Sequence, residues 1–340
     1  MAQISLGKTG LYVEQNGFGA LPIQRVSKQD AVYLLRKAYD GGMNFYDTAR
    51  SYSDSEEKLG EAFSGMWDKI VIATKIPAVD VPRFWDDLHT SLRMLRRDHI
   101  DIFQFHNPPI SPRPGDDGGL YDAMLEAKQQ GKIRFIGMTN HRLDVAQEAI
   151  NSGLYDTLQF PLSYLSTDKE LELVQACKEK EIGFIAMKAL SGGLITDSAA
   201  ACAWLSRFGH VIPIWGIQRE RELDEFLSYI PTPPALSNEM MDRIEVDRQE
   251  LQGNFCRGCG YCMPCPQEIS INMCARASLL LRRAPSEIIL SEDGQQMMKK
   301  IEDCTECGQC SEKCPYGLDV PDLLKKNYED VKEVLAGKPI

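Results

Sequence analysis

Met43-Asn44-Phe45-Tyr46-Asp47-Thr48-Ala49-Arg50-Ser51-Tyr52 is the stretch on which the reading of this chain turns. Its first four residues read as a short buried strand, which puts Asp47 at the strand's C-terminal mouth and Tyr52 in the loop that leaves it. Ile70-Val71-Ile72-Ala73-Thr74 is a second apolar run, closed by Lys75, and Ile100-Asp101-Ile102-Phe103-Gln104-Phe105 a third, closed by His106. Three strands that each finish on an ionisable residue imply one site assembled at a single rim. Extending the pattern gives strands near 16–21, 43–46, 70–74, 100–105, 133–138, 157–160, 183–187 and 211–215. Amphipathic helical segments alternate with them, such as 30–39, 84–95, 119–130, 143–151, 168–180 and 198–208. Eight strands in βα alternation predict an α/β fold, a (β/α)8 TIM barrel, whose active site forms at the C-terminal strand ends. The segment Ile4–Val13 reads as a small hairpin that plugs the opposite end.

The residue types at the rim define a chemistry. A phenol with an ordinary pKa near ~10 donates a proton poorly at neutral pH. A neighbouring ammonium lowers that pKa, and a carboxylate fixes the ammonium in place. Tyr52 is therefore the expected proton donor to a carbonyl oxygen, with Lys75 and Asp47 lowering its pKa and His106 orienting the substrate. With these residues, the chain resembles the aldo-keto reductase family over roughly residues 4–235. The resemblance is carried by Leu6-Gly7-Lys8-Thr9-Gly10-Leu11, Asp47-Thr48-Ala49 with Tyr52, Ser55-Glu56-x-x-Leu59-Gly60, Ala73-Thr74-Lys75, Ser91-Leu92-x-x-Leu95, Ile100-Asp101 with His106, and Gly131-Lys132-Ile133-Arg134-Phe135-Ile136-Gly137.

That resemblance implies a nicotinamide cofactor, NADP or NAD. Gly17-Phe18-Gly19-Ala20-Leu21-Pro22 runs into proline, so a Rossmann phosphate loop is not expected; a barrel offers instead the loops after strands seven and eight. By resemblance, Gly192 and Gly193 in Ser191-Gly192-Gly193 and Gly216 and Arg219 in Gly216-Ile217-Gln218-Arg219 hold the pyrophosphate and the adenine end, with Arg219 and Arg221 near a 2′-phosphate. Thr139, Asn140 and Gln159 match positions that hydrogen-bond the nicotinamide carboxamide. Where the family usually carries an aromatic residue, this chain has Met187, whose thioether can pack on a ring, followed by Lys188, a candidate for a cofactor phosphate or a substrate anion. The proline-rich loop Asn107–Gly115 is expected over the rim, and His141 beside Asn140 is a candidate lining residue.

The 340 residues hold 38 Lys and Arg against 49 Asp and Glu, a net charge of −11, which argues against nucleic acid as a partner. No apolar run of membrane-spanning length and no signal-peptide pattern is present, so no membrane is expected and the predicted location is the cytoplasm. Pro231-Thr232-Pro233-Pro234 marks a boundary, dividing a barrel domain, 1–235, from a mostly helical domain, 236–340. Of eleven cysteines, only Cys177 and Cys202 precede that boundary, on the apolar faces of predicted helices. The other nine lie between Cys256 and Cys314, and clustering of this kind in a reducing compartment points to metal rather than disulfides.

Cys304-x-x-Cys307-x-x-Cys310-x-x-x-Cys314-Pro315 has the spacing of a bacterial ferredoxin-type [4Fe–4S] site, in which the fourth cysteine ligates the other cluster. Cys256-x-x-Cys259-x-x-Cys262-x-x-Cys265-Pro266 is a near-copy, one residue short. The region resembles the helical dicluster ferredoxin domains appended to larger redox enzymes. That resemblance assigns Cys256, Cys259, Cys262 and Cys314 to one cluster, and Cys304, Cys307, Cys310 and Cys265 to the other, with Cys274 as a substitute for Cys265. Paired Cys-x-x-Cys runs also build structural zinc sites, but two consecutive proline-closed runs favour iron–sulfur.

Three readings join the halves. The first is a nicotinamide-dependent reductase of a small carbonyl substrate, whose clusters exchange electrons with a ferredoxin or flavoprotein partner. In the second, the clusters supply electrons to a barrel-bound substrate. In the third, the chain is an electron-transfer or interaction module on a barrel scaffold. The complete set Asp47, Tyr52, Lys75 and His106 speaks against the third, since a relic has no need to keep all four, and the first is the favoured reading.

Overall fold

The computed structural model describes residues 3–77, 79–251, 255–283, 286–314 and 316–339. The chain divides into two compact units, one taking residues up to Ala189 together with Ala199–Leu236, the other Leu190–Ser198 and residues from Ser237 onward.

In the first unit, a hairpin of β1 (Gln3–Ser5) and β2 (Tyr12–Glu14) pairs Ile4 with Val13. Eight parallel strands follow: β3 (Gly17–Gly19), β4 (Phe45–Asp47), β5 (Val71–Ile76), β6 (Ile100–His106), β7 (Ile133–Thr139), β8 (Thr157–Pro161), β9 (Gly183–Met187) and β10 (Val211–Gly216). They close in the order β10-β3-β4-β5-β6-β7-β8-β9 into the (β/α)8 barrel. Strands covered on both faces must be apolar almost throughout, and β4 and β5 are buried at every position. The intervening helices are α1 (Lys28–Asp40), α2 (Ser55–Ala62), α3 (Val81–Leu95), α4 (Leu120–Gln129), α5 (Leu143–Ser152), α6 (Asp168–Glu179), α7 (Ser198–Leu205) and α8 (Glu220–Ser228). Ile4, Leu6, Leu11 and Val13 of the hairpin region pack with Phe45, Val71, Ile102, Ile185 and Ile212. Gly7 bridges Ile182, and the Lys8 amide donates to the Glu181 carbonyl, both just ahead of β9, so the hairpin seals the N-terminal end and leaves the C-terminal mouth for chemistry.

Two glycines are fixed by close approach. A Cβ on Gly60 of α2 would lie 2.1 Å from the Met94 carbonyl oxygen at the end of α3, so only glycine lets these helices meet. A Cβ on Gly137 of β7 would lie 2.4 Å from Thr157 Oγ1 and 2.8 Å from Gln104 Cγ. Its absence lets side chains from β6 and β8 fill the layer across β7.

The second unit holds α9 (Asn238–Glu250), α10 (Ile271–Cys274), α11 (Ala277–Arg283), α12 (Glu287–Leu290), α13 (Glu292–Lys299), α14 (Gln309–Glu312) and α15 (Val320–Leu335). The last begins cleanly, with the Asp319 side chain accepting from the Asp322 amide and Pro321 in the first turn. Ile269, Ile271, Leu280, Leu281, Ile289, Met298, Leu324 and Val331 make its core. The sequence pattern over 271–281 suggests one helix; the structure breaks it at Ala275–Arg276, between α10 and α11. Pro315, expected to turn the chain after Cys314, lies outside the described residues. Among the described residues, no helix is long and apolar enough to cross a membrane.

Candidate functional site

Asp47 ends β4, Lys75 is the penultimate residue of β5 and His106 ends β6, so all three stand at the barrel mouth. Lys75 Nζ donates to Asp47 Oδ2 at 2.7 Å and to the Thr48 carbonyl at 2.6 Å, with both side chains almost fully buried. The loop after β4 brings Tyr52 back over this pair, with Lys75 Nζ 5.2 Å from the phenol ring centroid. The imidazole of His106 meets the Tyr52 ring edge-on at 5.9 Å between centroids. Four residues drawn from four segments thus converge.

The loop is held from behind by α2. Glu56, buried, accepts from Thr74 Oγ1 and from Ser91 Oγ, each at 2.7 Å, and pairs with Arg50. Lys58, also buried, donates to the Ile23 and Val26 carbonyls at 3.0 and 2.8 Å. A buried charge is tolerated where its remaining sites are hydrogen-bonded, and Glu56 and Lys58 meet that condition.

Burial dominates the electrostatics of the mouth. The Tyr52 hydroxyl is raised above its ordinary pKa by desolvation, and the opposing pull of Lys75 does not overcome it. The expectation that Lys75 leaves Tyr52 more acidic than a free phenol is therefore corrected in sign: the ammonium moderates a rise. Asp47 is also raised, by burial against the lowering effects of Lys75 and Gln159. Burial, with the Lys75 charge, lowers His106 to about 3. Neutral forms are what a dry pocket favours.

Ser51 and Gln104 carry no role in the sequence reading, and His141 enters it only as a candidate lining residue. Ser51 Oγ lies 3.3 Å from His106 Nδ1. Gln104 Nε2 donates to Gln159 Oε1 at 2.9 Å, fixing the amide that stands against Asp47. His141 is lowered to about 3, by burial first and then by the charges of Lys188 and His106, so it belongs to the same rim. The only sequence signal for these was adjacency to a motif.

Of the residues expected to hold a cofactor, Thr139 and Gln159 are buried on β7 and β8, with Thr139 Oγ1 4.0 Å from Met187 Sδ. Asn140 donates to the Pro108 carbonyl at 2.8 Å and accepts from the Arg142 amide at 2.8 Å, so it also ties down the proline-rich loop. Lys188 takes a left-handed φ of +56° directly after β9. Gly216 ends β10, and Arg219 precedes α8 with Nη1 3.2 Å from Glu222. Gly192 and Gly193 lie in the 190–198 segment, which belongs to the second unit.

In that second unit, the cysteines ring two spaces. One is lined by Cys256, Cys259, Cys262 and Cys314 with Ile271, Leu318 and Val320. The other is lined by Cys262, Cys265, Cys304, Cys307 and Cys310 with Ile269 and Leu324. No cysteine is in a disulfide. Cys274 lines neither space; it is buried in the core, its thiol facing the Met297 carbonyl at 3.6 Å. Among the described residues, no three His, Cys, Asp or Glu side chains converge as a single metal ion requires. Spaces lined by four and five soft thiols fit cubanes in the chemistry of their donors, since Fe–S clusters are held by thiolates. The Gly258 amide, 3.3 Å from Cys256 Sγ, supplies one N–H to sulfur.

A closed parallel barrel with Asp, Tyr, Lys and His at its mouth is thus followed in the chain by a cysteine-rich helical unit. Residues 15–201, more than half of the chain, match the aldo/keto reductase family, and residues 255–319 match the 4Fe-4S dicluster domain. The chain belongs to the aldo/keto reductase family. It is 30% identical over 212 residues to an L-galactose dehydrogenase of Arabidopsis thaliana, covering 57% of this chain and 66% of that protein. The match thus spans just under two thirds of that relative's length. An NADH-specific methylglyoxal reductase of Escherichia coli is 26% identical over 228 residues, 58% of this chain and 70% of that one. Among solved structures, an aldo-keto reductase of Klebsiella pneumoniae in complex with NADPH superposes with a TM-score of 0.60 at 20% identity, covering 72% of this chain and 95% of that one.

Proposed function

We propose that the barrel reduces a small aldehyde or ketone to an alcohol, or catalyses the reverse, with a nicotinamide dinucleotide, and that the cysteine unit carries two [4Fe–4S] clusters for exchange with a redox partner. The observation that carries the reading is the buried Lys75–Asp47 pair at 2.7 Å, with Tyr52 over it. The NADPH in complex with the Klebsiella protein and the NADH specificity of the Escherichia coli relative both support a nicotinamide. When bound, that cofactor supplies hydride to the carbonyl carbon.

The chain's own residues then handle the oxygen. Tyr52, kept protonated by burial, gives its proton to the developing alkoxide; Lys75 stabilises the phenolate left behind, and Asp47 holds Lys75 in place. Where His106 Nδ1 accepts from Ser51, the single imidazole proton remains on Nε2, available to the carbonyl oxygen. A neutral His106 orients that oxygen as a hydrogen-bond donor rather than as a cation. Thr139, Asn140, Gln159 and Met187 are the proposed nicotinamide contacts on the barrel, with Gly216 and Arg219 toward the adenine end.

The test is an anaerobic titration with NADPH and with NADH, followed by a panel of aldehydes and ketones. Binding of neither nicotinamide would overturn the proposal, with Met187 in place of the usual aromatic as the physical reason. The pH profile is a second check. His106 titrates near 3, so kcat/KM for reduction should show no step near 6.5. The active form of Tyr52 in reduction is protonated and its pKa is raised, so the rate should fall only on the alkaline side, beyond ~10. Oxidation, which needs the phenolate as base, should rise over the same range. A bell centred on neutrality would contradict these assignments.

The clusters predict their own result. Protein purified without oxygen should be brown, bleach with dithionite, and contain iron and acid-labile sulfide equivalent to two cubanes. Zinc without sulfide would end the iron–sulfur reading. Cys307→Ser should leave nicotinamide-dependent aldehyde reduction within about twofold of the parent; if it matches Tyr52→Phe in damage, the clusters feed the barrel substrate instead.

A further inference from the structure

Arg276 stands at the break between α10 and α11, where it interrupts what the sequence presents as one helix. Its Nε donates to the Asn272 carbonyl at 3.1 Å. The rest of the guanidinium lies between two glycine backbones far apart in sequence. A Cβ on Gly258 would come within 2.8 Å of its Cζ, and a Cβ on Gly192 within 2.9 Å of its Nη1. Both glycines have left-handed φ angles, +65° and +68°, so two separate turns are shaped to admit one cation. Gly258 lies inside the Cys256–Cys259 loop and gives its amide to Cys256 Sγ. Gly192 belongs to the 190–198 segment, the only part of the second unit that precedes residue 237.

Cys256 and Cys259, which become thiolates on holding a cluster, are the groups whose charge acts on Arg276, and among the described residues no carboxylate does. A partly buried guanidinium without a carboxylate partner is costly unless another negative group offsets it. Arg257, which lines this space, faces two aromatic rings, its Cζ 4.2 Å from the Tyr316 ring centroid and 5.2 Å from that of Phe255.

We infer that Arg276 is the charge partner of the cluster held by Cys256, Cys259, Cys262 and Cys314, that it raises that cluster's reduction potential, and that the 190–198 segment holds it there. The inference rests on the iron–sulfur reading of these cysteines. A cubane carried by four thiolates is anionic and gains one further negative charge on reduction. A fixed cation at the loop therefore stabilises the reduced form more than the oxidised one. Net charge and hydrogen bonds to sulfur are among the terms that set such potentials. Arg276 meets the Cys256–Cys259 loop through Gly258, and its charge is coupled to those two cysteines, so the two clusters should differ.

The experiment is a dithionite titration of the anaerobic full-length protein followed by electron paramagnetic resonance, with iron and sulfide measured in each sample. Arg276→Gln should shift one cluster's reduced-to-oxidised ratio about tenfold toward oxidised, a lowering of about 59 mV for one electron, and leave the other cluster in place. Arg276→Lys, which keeps the charge, should recover most of the shift. Gly192→Ala, whose added methyl displaces the guanidinium without touching a cysteine, should lower the same midpoint by a smaller factor, and it decides the matter where Arg276→Gln loads iron poorly. Unchanged midpoints in fully loaded Arg276→Gln, or equal shifts in both clusters, would overturn the inference. Absence of iron and sulfide from the parent protein would instead overturn the cluster reading beneath it.

Discussion

Tyr52→Phe is expected to lower kcat for carbonyl reduction by about a hundred- to ten-thousand-fold, the usual contribution of a positioned general acid. The phenyl ring should still pack edge-on against His106 and over Lys75, so nicotinamide affinity and thermal stability should stay close to the parent values. The residual rate should lose its alkaline limb, because the group that titrates there is gone. The reasoning depends on the sign found at the mouth. Burial raises the Tyr52 pKa while Lys75 draws it down, so the ammonium keeps a desolvated phenol usable. A loss of only a few-fold, with the alkaline limb intact, would assign the proton to another donor, and His141 would be the first to examine.

Much of the barrel was legible because a parallel sheet covered on both faces demands nearly unbroken apolar runs. Asp47, Lys75 and His106 stood out because each ends such a run. Helix α2 was harder to read, since it buries Ser55, Glu56 and Lys58 beside Leu59, Gly60 and Ala62, with Glu56 and Lys58 satisfied by groups 18 to 35 positions away in sequence. Apolar periodicity cannot register a helix that buries charge. The sign of the Tyr52 shift was hidden for a related reason: motif spacing reveals the neighbouring ammonium, but desolvation depends on how the whole loop closes over the phenol.

The cysteine unit was legible in a different way. Thiol spacing predicted two groups, and the two spaces are lined by those groups, with Cys262 bordering both. The choice between Cys265 and Cys274 needed coordinates, because only packing distinguishes a thiol at a cavity wall from one in the core. Arg276 was invisible for the same reason. It reads as one more polar residue between apolar neighbours, and its two glycine contacts are 18 and 84 positions away in sequence.

Lys75→Met should destabilise the barrel by about 3–5 kcal/mol, the range for breaking a buried ion pair by removing one partner. The change keeps side-chain volume but leaves Asp47 without its 2.7 Å donor and the Thr48 carbonyl without its 2.6 Å one. The loss should depend on pH in a definite direction. In the variant, burial acts on Asp47 without the ammonium's opposing pull, so its folded pKa rises further above the unfolded ~3.9. A group with a raised folded pKa contributes stability fully below the unfolded value and loses it as pH rises through the folded one. Urea unfolding followed by barrel tryptophan fluorescence should therefore show a larger deficit at pH 8 than at pH 5. The double variant Lys75→Met/Asp47→Leu should regain much of the loss at both pH values, since apolar replacement of a whole buried pair is often neutral or better. It should still be catalytically poor, because Tyr52 then has no cation to stabilise its phenolate. An equal deficit at the two pH values, or a double variant no more stable than the single, would mean that the energy at this position is packing and not charge.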